Sequence, residues 1–422
     1  MNMPPAAVLL LILVSVCAAH SISLASSPIR RLPWQHKSLT KWLRLSRPFR
    51  KRFQRPISNS YNLPVPDFRV RSRTRDIRLK NSYDNIYYGT ITIGTPGQEF
   101  NVVFHTETTI TWVPSTSKSF RQSLRGRAQS SVVGQNSTRQ GPNRRNQRTS
   151  KKYNNEMSST YSPTGRHFVV RYGSEAASGF CSQDDMEIAG ETIFCQIFGE
   201  AELEPNVFSG SMIDGIFGLR LSNISAGEEP TVLDTMVIQG LLPAPIFSFY
   251  HSRYGADDPD SVLTLGGTNP EYYTGDFTFT NLSKPYRWQF EIDRILELTC
   301  VQQQALSLVF VTESLLTFRV KCSDGVGTNF GHKCQAVLDT GSSFTVGPKD
   351  GVDELHAWLG AKPLEGDPTL YLFERNQLEM LPDLEFIVNG QKLTMTSSDY
   401  VCQGFEPTYI WFQIRRLTTS AN

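Results

Sequence analysis

The chain has 422 residues, of which 39% are hydrophobic and 11% are aromatic. This length is sufficient for two domains with their own cores, and the composition excludes a chain that is disordered throughout. The formal net charge of +2 at pH 7 conceals two strongly basic blocks, residues 29–80 and 117–152, in a chain whose remainder is acidic.

Residues 1–19 predict a signal peptide. The stretch PPAAVLLLILVSVCAAH is apolar, ends in small residues and is short for a membrane span, which indicates cleavage near Ala18 or Ala19. The alternative is a membrane anchor, but no later stretch is apolar for the length that a span needs. We therefore expect a secreted protein, or one of the lysosomal or endomembrane lumen, without a membrane span.

Residues 20–80 predict a basic propeptide. Residues 29–80 contain 16 Lys or Arg and only two acids, Asp67 and Asp76. Such a segment is suited to lie against an acidic body until it is removed. A solvated tail or a nucleic-acid-binding arm has the same composition, but export argues against a nucleic-acid partner.

From residue 83 onward, short β-branched and aromatic runs broken by Gly, Pro and Asn predict an all-β protein. Helical patterns are few, around residues 231–239 and 351–359. Residues 117–152 hold 10 Lys or Arg and no acid, and we interpret them as a basic disordered insertion on the surface. The Gly-rich stretch LTLGGTNPEYYTG predicts a boundary between lobes at 81–268 and 269–422.

An internal repeat relates the two predicted lobes. VVFHTETTITWVPS and AVLDTGSSFTVGP align without a gap at a separation of 234 positions, which places His105 on Asp339 and Glu107 on Gly341. Each copy is typical of a strand, a tight turn and a strand. One lobe therefore presents a carboxylate at its turn, and the other presents an imidazole.

The cysteines predict disulfides, because export exposes the chain to an oxidising compartment. The first choice is Cys322 with Cys334, which would close a Gly-rich loop before the second turn. The second choice is Cys181 with Cys195, although their register about the Ala189-Gly190 turn is off by about three positions. The cysteine spacing is not that of a zinc site, so we expect no metal.

Three Asn-x-Ser/Thr triplets are candidate glycosylation sites, at Asn136, Asn223 and Asn281. Each lies in a polar context. Such triplets also occur by chance, so each is an expectation of a glycan and no more.

The ordered motifs resemble the pepsin-like aspartic proteases, the group of pepsin, cathepsin D and renin. They include YYGTITIGTPGQEFNVVF, WVPS, SSTYSPTG, VVRYGSEAASGF, DGIFGL, FSFY, LTLGG, VLDTGSS, LPDLEFIVNG and CQGF. The resemblance implies two β-barrel-like lobes in a bilobal all-β fold. It also implies a cleft between the lobes that holds an extended peptide under a flap, a propeptide that blocks this cleft, a monomer and no cofactor.

The family's chemistry uses two carboxylates that share one proton, one activating water while the other polarises the scissile carbonyl. Asp339 matches the second of these aspartates, and His105 replaces the first. The resemblance also assigns turn and support residues, namely Thr106, Thr340, Gly341 and Ser342. It assigns the substrate-binding flap to Tyr172, Gly173 and Trp112.

The sequence departs from the family pattern at three further places. Glu107 replaces the glycine after the first turn's threonine, and Glu175 replaces the flap-tip glycine. The C-terminal IWFQIRRLTTSAN lacks the family's Gly-Asp motif and the strands after it, whereas DGIFGL provides the equivalent support in the first lobe. We therefore expect a truncated C-terminal lobe in which Asp339 is poorly held.

Three functional hypotheses follow. The favoured one is an inactive or weakly active homologue of an aspartic endopeptidase that still binds peptides. The alternative is an active acid endopeptidase that uses His105 with Asp339, since one branch of the family works with a histidine at that position. The third is a non-enzymatic secreted glycoprotein that binds an acidic surface through residues 117–152. The loss of family pattern at residues 300–321 and beyond residue 409 would also fit an altered coding sequence.

Overall fold

The computed structural model describes most of the chain outside its basic segments. The described residues are 9–13, 74–82, 86–117, 150–172, 175–208, 211–223, 228–252, 260–273, 277–297, 318–321, 332–342, 345–347, 349–364, 367–374, 377, 381–402, 409–412 and 414–416. Most of the predicted propeptide, before residue 74, and nearly all of the predicted basic insertion lie outside these ranges.

The described residues are mainly β-strands. In chain order these are β1 Leu9–Leu13, β2 Arg75–Ser82, β3 Ile86–Ile93, β4 Gln98–His105, β5 Trp112–Pro114, β6 Ser162–Tyr172, β7 Glu175–Ile188, β8 Glu191–Leu203, β9 Gly215–Gly218, β10 Ile246–Tyr250, β11 Ser261–Leu265, β12 Gln289–Glu297, β13 Phe318–Lys321, β14 His332–Leu338, β15 Thr345–Gly347, β16 Lys362–Leu364, β17 Asp367–Glu374, β18 Leu384–Val388, β19 Gln391–Met395, β20 Val401–Cys402, β21 Tyr409–Phe412 and β22 Ile414–Arg416. The all-β prediction is confirmed.

Helices are short. The α-helices are α1 Val232–Ile238, α2 Lys349–Leu359 and α3 Ser397–Tyr400, and the 3-10 helices are η1 Asn155–Met157, η2 Asn206–Phe208 and η3 Pro270–Tyr272. The two predicted helices are thus confirmed. Thr231 caps α1 in a reciprocal capping box with Asp234, which explains why the helix begins where it does. Within the described residues, none of these helices is long and apolar enough to cross a bilayer.

The chain divides into two compact units. The first unit contains Tyr88–Leu241, and the second contains Leu242–Asn422 together with the described residues before Tyr88. The predicted boundary at residue 268 therefore lies within the second unit. Here β10 and β11 pair with each other, and β11 pairs with β2, so these strands belong to one sheet.

The first unit is built on a closed arrangement of strands. Its order is β3-β4-β9-β5-β8-β7-β6, and β3 also pairs with β7. Alternating side chains of these strands form the core, whose largest fully buried members include Trp112, Tyr153, Phe100, Phe104 and Phe198. The Ala189-Gly190 turn joins β7 to β8, and both residues have positive φ, as a two-residue hairpin of this kind requires.

The second unit contains three sets of paired strands. One has the order β1-β10-β11-β2, the second β19-β18-β12-β14-β13-β15-β22, and the third β16-β17-β21-β20. The predicted propeptide boundary at residue 80 falls inside β2. Ile77 and Leu79 of that strand are buried at 6% and 3% exposure, so β2 is part of the folded unit although its composition is basic. The backbone of β1, from the predicted signal peptide, pairs with β10.

The predicted pairing of Cys181 with Cys195 is wrong. Both residues are thiols, and Cys181 lies opposite Gly199 in the β7–β8 ladder. Cys195 lies in an irregularity of the same ladder, with φ of 56°. The Ala189-Gly190 turn already places Cys195 out of register with Cys181, and the extra residue of this bulge increases the offset by one position.

A buried acid network fixes the first unit where the basic insertion begins and ends. Glu200 is fully buried and accepts hydrogen bonds from the hydroxyl groups of Ser115 at 2.7 Å and Ser182 at 2.5 Å. Asp184 is nearly as buried and accepts one at 2.5 Å from the Tyr153 hydroxyl. Burial raises the pKa of Glu200, which outweighs the opposing effect of its hydrogen-bond donors, and the charge of Asp184 raises it further.

We predict that Glu200→Gln will flatten the pH dependence of unfolding. Because folding raises the pKa of Glu200, its stabilising contribution is complete below the ordinary glutamate pKa and is lost as the pH rises through the folded value. Denaturant titrations between about pH 4 and pH 7 should show the free energy of unfolding of the wild type falling more steeply than that of the variant. Glu187→Gln, at an exposed position of β7, should keep the wild-type slope. Equal slopes for wild type and Glu200→Gln would contradict the prediction.

Candidate active site

The first turn follows a strand that is almost entirely buried. Val102, Val103 and Phe104 of β4 are 0%, 6% and 1% exposed, and His105 at the end of the strand is 7% exposed. β4 runs parallel to β9, with His105 opposite Gly218. The buried β-branched run therefore brings the imidazole to the edge of the core, where the chain turns.

The imidazole is an acceptor within its own turn. The backbone N–H of Glu107 donates to His105 Nδ1 at 3.1 Å, and the N–H of Thr108 donates to the His105 carbonyl at 3.4 Å. A nitrogen that accepts a hydrogen bond must carry its lone pair in the ring plane, so in the neutral ring the proton lies on Nε2. The turn thus fixes the tautomer.

The second turn has the same hydrogen bonds around a carboxylate. The N–H of Gly341 donates to Asp339 Oδ1 at 3.2 Å, and the N–H of Ser342 donates to the Asp339 carbonyl at 3.2 Å. Asp339 is fully buried. Each turn therefore uses a side-chain acceptor two residues before its donor, and the gapless alignment of His105 with Asp339 matches this local geometry.

The residues around the acceptors differ in burial. Thr106 is fully buried, whereas Thr340 is half-buried, as are Gly341 and Ser342. Glu107 stands where the second turn has Gly341, and it is half-buried. The substitution adds a carboxylate to the first turn without removing the backbone donor that holds the ring.

Strand β9 braces the first turn. The N–H of Leu219 donates to the His105 carbonyl at 2.9 Å, and the N–H of Gly218 donates to the Thr111 hydroxyl at 3.1 Å. Only a glycine fits at 218, since a Cβ there would lie 2.6 Å from the Thr108 carbonyl oxygen and 2.5 Å from that of Thr109. The predicted support by DGIFGL is observed as this contact.

The second turn is braced by a different strand. β14, which leads to Asp339, pairs with β12 on one side and with β13 on the other, and β13 also pairs with β15. β13 thus lies between the two strands of the turn, as β9 does in the first unit, but it runs antiparallel to β14 whereas β9 runs parallel to β4. We expected Asp339 to be poorly held. Its strand is instead paired on both sides.

An aromatic cluster surrounds the imidazole in the first unit. Trp112 Nε1 donates to the Tyr172 hydroxyl at 2.7 Å, the hydrogen bond that the family resemblance implies. The Tyr172 ring lies edge-on to the His105 ring with centroids 5.8 Å apart, and the Phe208 ring lies edge-on to Trp112 at 5.3 Å. The flap strand β6 is therefore tied to β5 and to η2.

Sequence reasoning missed Phe208, Thr111 and Asn206. Phe208 and Asn206 belong to the short helix η2, whose polar and apolar residues show no periodicity, and Asn206 Nδ2 donates to Glu175 Oε1 at 3.0 Å. Thr111 was visible within the repeat as the partner of Thr345. The equivalence of Thr111 and Thr345 in the repeat could have identified Thr111 as a residue that supports the turn.

The remaining predicted site residues are placed only in part. Gly173, Cys322 and Asn136 lie outside the described residues. Cys334 is disulfide-bonded and fully buried in β14. Asn281 is exposed and Asn223 is half-buried. Among the described residues, no group of three or more His, Cys, Asp or Glu side chains could hold a metal ion.

Comparisons with known proteins identify the class. A sequence model of the family described as "Eukaryotic aspartyl protease" matches residues 86–412. Cathepsin D of Clupea harengus is 33% identical over 344 residues, covering 81% of this chain and 72% of that protein. Cathepsin E of Mus musculus is 30% identical over 404 residues, covering 94% and 86%, and renin of Ovis aries is 32% identical over 338 residues, covering 79% and 71%. The chain belongs to the eukaryotic aspartyl protease family, and its fold is the bilobal all-β fold of the pepsin-like proteases.

We predict that Gly218→Ala will destabilise the first unit by about 1–3 kcal/mol, because the added methyl group overlaps the turn carbonyls and the backbone must shift. The free energy of unfolding from denaturant titration measures this. Gly267→Ala is the matched control, since its Cβ would meet only the Thr74 methyl group, at 3.0 Å. Equal effects of the two substitutions would refute the role of Gly218 as a close-contact position.

Proposed function

We propose that the protein is a peptide-binding member of the aspartic endopeptidase family whose proteolytic activity is absent or weak, and that it acts in the secretory or lysosomal lumen. The observation that carries this proposal is the hydrogen bond from the Glu107 N–H to His105 Nδ1. This hydrogen bond supports a tautomer in which His105 presents an Nε2–H donor at the position where the family has a carboxylate.

The chemistry argues for weak activity. A shared proton requires two acids of similar strength close together, so that one is ionised and the other protonated. His105 does not supply a carboxylic acid, because its neutral ring offers only a weakly acidic Nε2–H while its Nδ1 is engaged within the turn. Asp339 would then have to activate water without a carboxylic acid to polarise the carbonyl, and loss of an acid-base partner commonly costs about 100- to 10,000-fold in rate.

Peptide binding does not depend on the missing carboxylate. The wall formed by Trp112, Tyr172 and Phe208 keeps its ring contacts and its hydrogen bond. Tyr172 and Phe208 are half-buried and offer apolar surface to a ligand, whereas the fully buried Trp112 holds the Tyr172 hydroxyl in place. Apolar surface with polar groups at fixed positions is the usual make-up of a ligand site. This wall supports retention of an extended peptide, with the chain's own basic propeptide as one natural occupant.

We predict that the purified, processed wild type will cleave a fluorogenic peptide no faster than Asp339→Ala between about pH 3 and pH 6, the range in which a carboxylate dyad would work. The double variant His105→Asp/Glu107→Gly restores the family residues of the first turn. It should raise the cleavage rate by about 100- to 10,000-fold, because the acid-base pair is complete again.

One outcome would contradict the inactive assignment, and another would contradict the cause assigned to it. Wild-type cleavage that disappears in Asp339→Ala would establish a working pair of His105 with Asp339. A double variant that folds and still fails to cleave would contradict the assignment of the inactivity to His105 and Glu107, because other features would then limit activity.

The binding half of the proposal has its own test. We predict that a statine-type peptide inhibitor binds the wild type and binds Tyr172→Ala at least tenfold more weakly, since an aromatic anchor is commonly worth about 2 kcal/mol or more. Isothermal titration calorimetry measures both affinities. Val169→Ala is the control, because Val169 lies on the opposite face of the same strand and is 61% exposed. Equal affinities for wild type and Tyr172→Ala would show that this wall does not bind peptide.

A further inference from the structure

Strand β10 has a partner on one side that the exported chain is expected to lose. It pairs with β11 on one side, and on the other it pairs residue by residue with β1, from Leu9 opposite Tyr250 to Leu13 opposite Ile246. Within the described residues, β1 is the last strand of this sheet. It lies in residues 1–19, the predicted signal peptide. Cleavage of that peptide would leave β10 as the edge strand.

β10 has none of the features that usually protect an edge strand. Its sequence, IFSFY, contains no charged residue and no proline, and its ladders with β1 and β11 show no shift of register. All five residues are buried, with Phe247 at 0% and Phe249 at 2% exposure. A regular apolar edge offers unpaired N–H and C=O groups to other chains, so proteins cover or interrupt such an edge. The exported chain therefore needs a new occupant beside β10.

The backbone groups on the β1 side belong to Phe247 and Phe249. The N–H of Gly266 donates to the Ile246 carbonyl at 2.6 Å, so Ile246 directs its carbonyl toward β11. In an antiparallel ladder these directions alternate from one residue to the next. Ser248 therefore also faces β11, whereas Phe247 and Phe249 each present an N–H and a C=O to the other side.

The edge of β10 is self-complementary. Read in either direction, IFSFY has an aliphatic or aromatic residue at each end, a phenylalanine second and fourth, and a serine in the middle. Two copies can therefore pair antiparallel about a twofold axis at Ser248, with Phe247 of each copy opposite Phe249 of the other. Each such pair exchanges both of its backbone hydrogen bonds. A surface that matches itself is what a closed twofold dimer requires.

Contacts on both faces of the sheet hold β10 in place. The Phe247 ring lies edge-on to Trp288 at 5.5 Å and to Phe249 at 5.9 Å. On the opposite face the Ser248 hydroxyl donates to the Gly267 carbonyl at 3.0 Å. Because the strand is already ordered, pairing with another strand costs little further conformational entropy, which favours association.

We propose that the exported protein forms a twofold dimer in which β10 of one copy pairs antiparallel with β10 of a second copy. This inference rests on the lumenal location proposed above, because export is what removes β1. It departs from the monomer that the family resemblance implies. A second copy is the occupant that the self-complementary pattern of β10 favours, since an unrelated strand need not match this register. Pairing uses the exposed edge of both copies, so the assembly stops at a dimer.

Sedimentation velocity on two forms of the chain tests the dimer. The exported chain, shown by its intact mass to lack residues 1–19, should change from monomer to dimer as its concentration rises from about 1 to 100 µM. The chain that retains residues 1–19 is the matched control, and both forms are refolded from denaturant in the same oxidising buffer. This control should remain a monomer over the same range, because β1 covers the edge of β10.

Disulfide trapping tests the register of the two strands. In the twofold pairing the two Ser248 residues form a non-hydrogen-bonded pair, whose Cα separation of about 4.5 Å is within the range that a disulfide spans. Ser248→Cys should therefore form a covalent dimer on mild oxidation, as measured by non-reducing gel electrophoresis. Thr264→Cys is the matched control, because Thr264 is equally buried, at 1% exposure, in a strand that is paired on both sides. The wild type accounts for the existing thiols of Cys181 and Cys195.

Hydrogen exchange tests the same interface without a substitution, so it does not depend on the folding of Ser248→Cys. In the exported wild type, the amides of Phe247 and Phe249 are hydrogen-bonded across the edge only in the dimer. Their protection should rise as the concentration passes through the range in which the dimer forms. Peptides from β6, which lies in the other unit, should exchange at the same rate at every concentration.

The outcomes separate this inference from the proposed peptide binding. An exported chain that stays monomeric up to about 100 µM, or whose β10 amides exchange equally fast at every concentration, overturns the dimer and leaves peptide binding intact. Equal dimers in both forms of the chain, or assemblies larger than a dimer, overturn it because β10 would not be the interface. A folded Ser248→Cys that gives no more covalent dimer than Thr264→Cys also overturns it. An exported chain that retains residues 1–19 overturns it together with the predicted cleavage.

Discussion

The hydrogen bond between a backbone N–H and a side-chain acceptor two residues earlier is the constraint on which both turns depend. In the first turn the acceptor is His105 Nδ1, and in the second it is Asp339 Oδ1. An unsatisfied buried N–H would cost about 1–3 kcal/mol, which is a large part of the stability of a domain. Position 105 therefore requires an acceptor, but it does not require an acid. An imidazole meets this structural demand without supplying a carboxylic acid, so the fold of the turn does not depend on a second aspartate at position 105.

The rest of the first unit shows the same separation of structure from chemistry. Strand β9 and Thr111 hold the turn through backbone and hydroxyl groups, none of which depends on the identity of the residue at 105. Burial raises the pKa of Glu200, so the contribution of this residue to stability is fully present in acid. A scaffold suited to acidic conditions is thus retained whether or not the turn can cleave a peptide. In the second unit the antiparallel strand β13 supports the turn, where the first unit uses a strand parallel to β4. The two turns therefore have the same hydrogen bonds but are supported by strands of different orientation.

Sequence alone predicted the features that local patterns determine. The alternating apolar runs predicted the strands, the 3.6-residue patterns predicted helices α1 and α2, and the gapless repeat predicted two turns that prove to have the same hydrogen bonds. The family resemblance also located Trp112 and Tyr172, because that pair sits at fixed offsets from the turn and the flap.

The errors arose where composition or register hid the physical determinant. The basic charges of residues 75–80 obscured the alternation of Ile77 and Leu79, so strand β2 was not predicted within the segment assigned to the propeptide. The Ala189-Gly190 turn already placed Cys181 and Cys195 out of register, and the bulge near Cys195, which no residue pattern predicts, adds one position to that offset. The contact between Glu175 and Asn206 joins positions 31 residues apart through a loop, and such a contact depends on how η2 packs against Trp112.

The two acquired glutamates connect these observations to function. Glycine is required at a catalytic turn or a flap tip where a substrate backbone must come close, because any Cβ takes up that space. A glutamate at both places takes up space that an enzyme needs in order to close tightly on a scissile bond. Such an enzyme depends on geometric precision for much of its rate. A surface that holds a peptide without cutting it does not require this precision. His105 in place of an acid, with Glu107 and Glu175 in place of glycines, supports the proposed change from selecting a transition state to selecting a ligand.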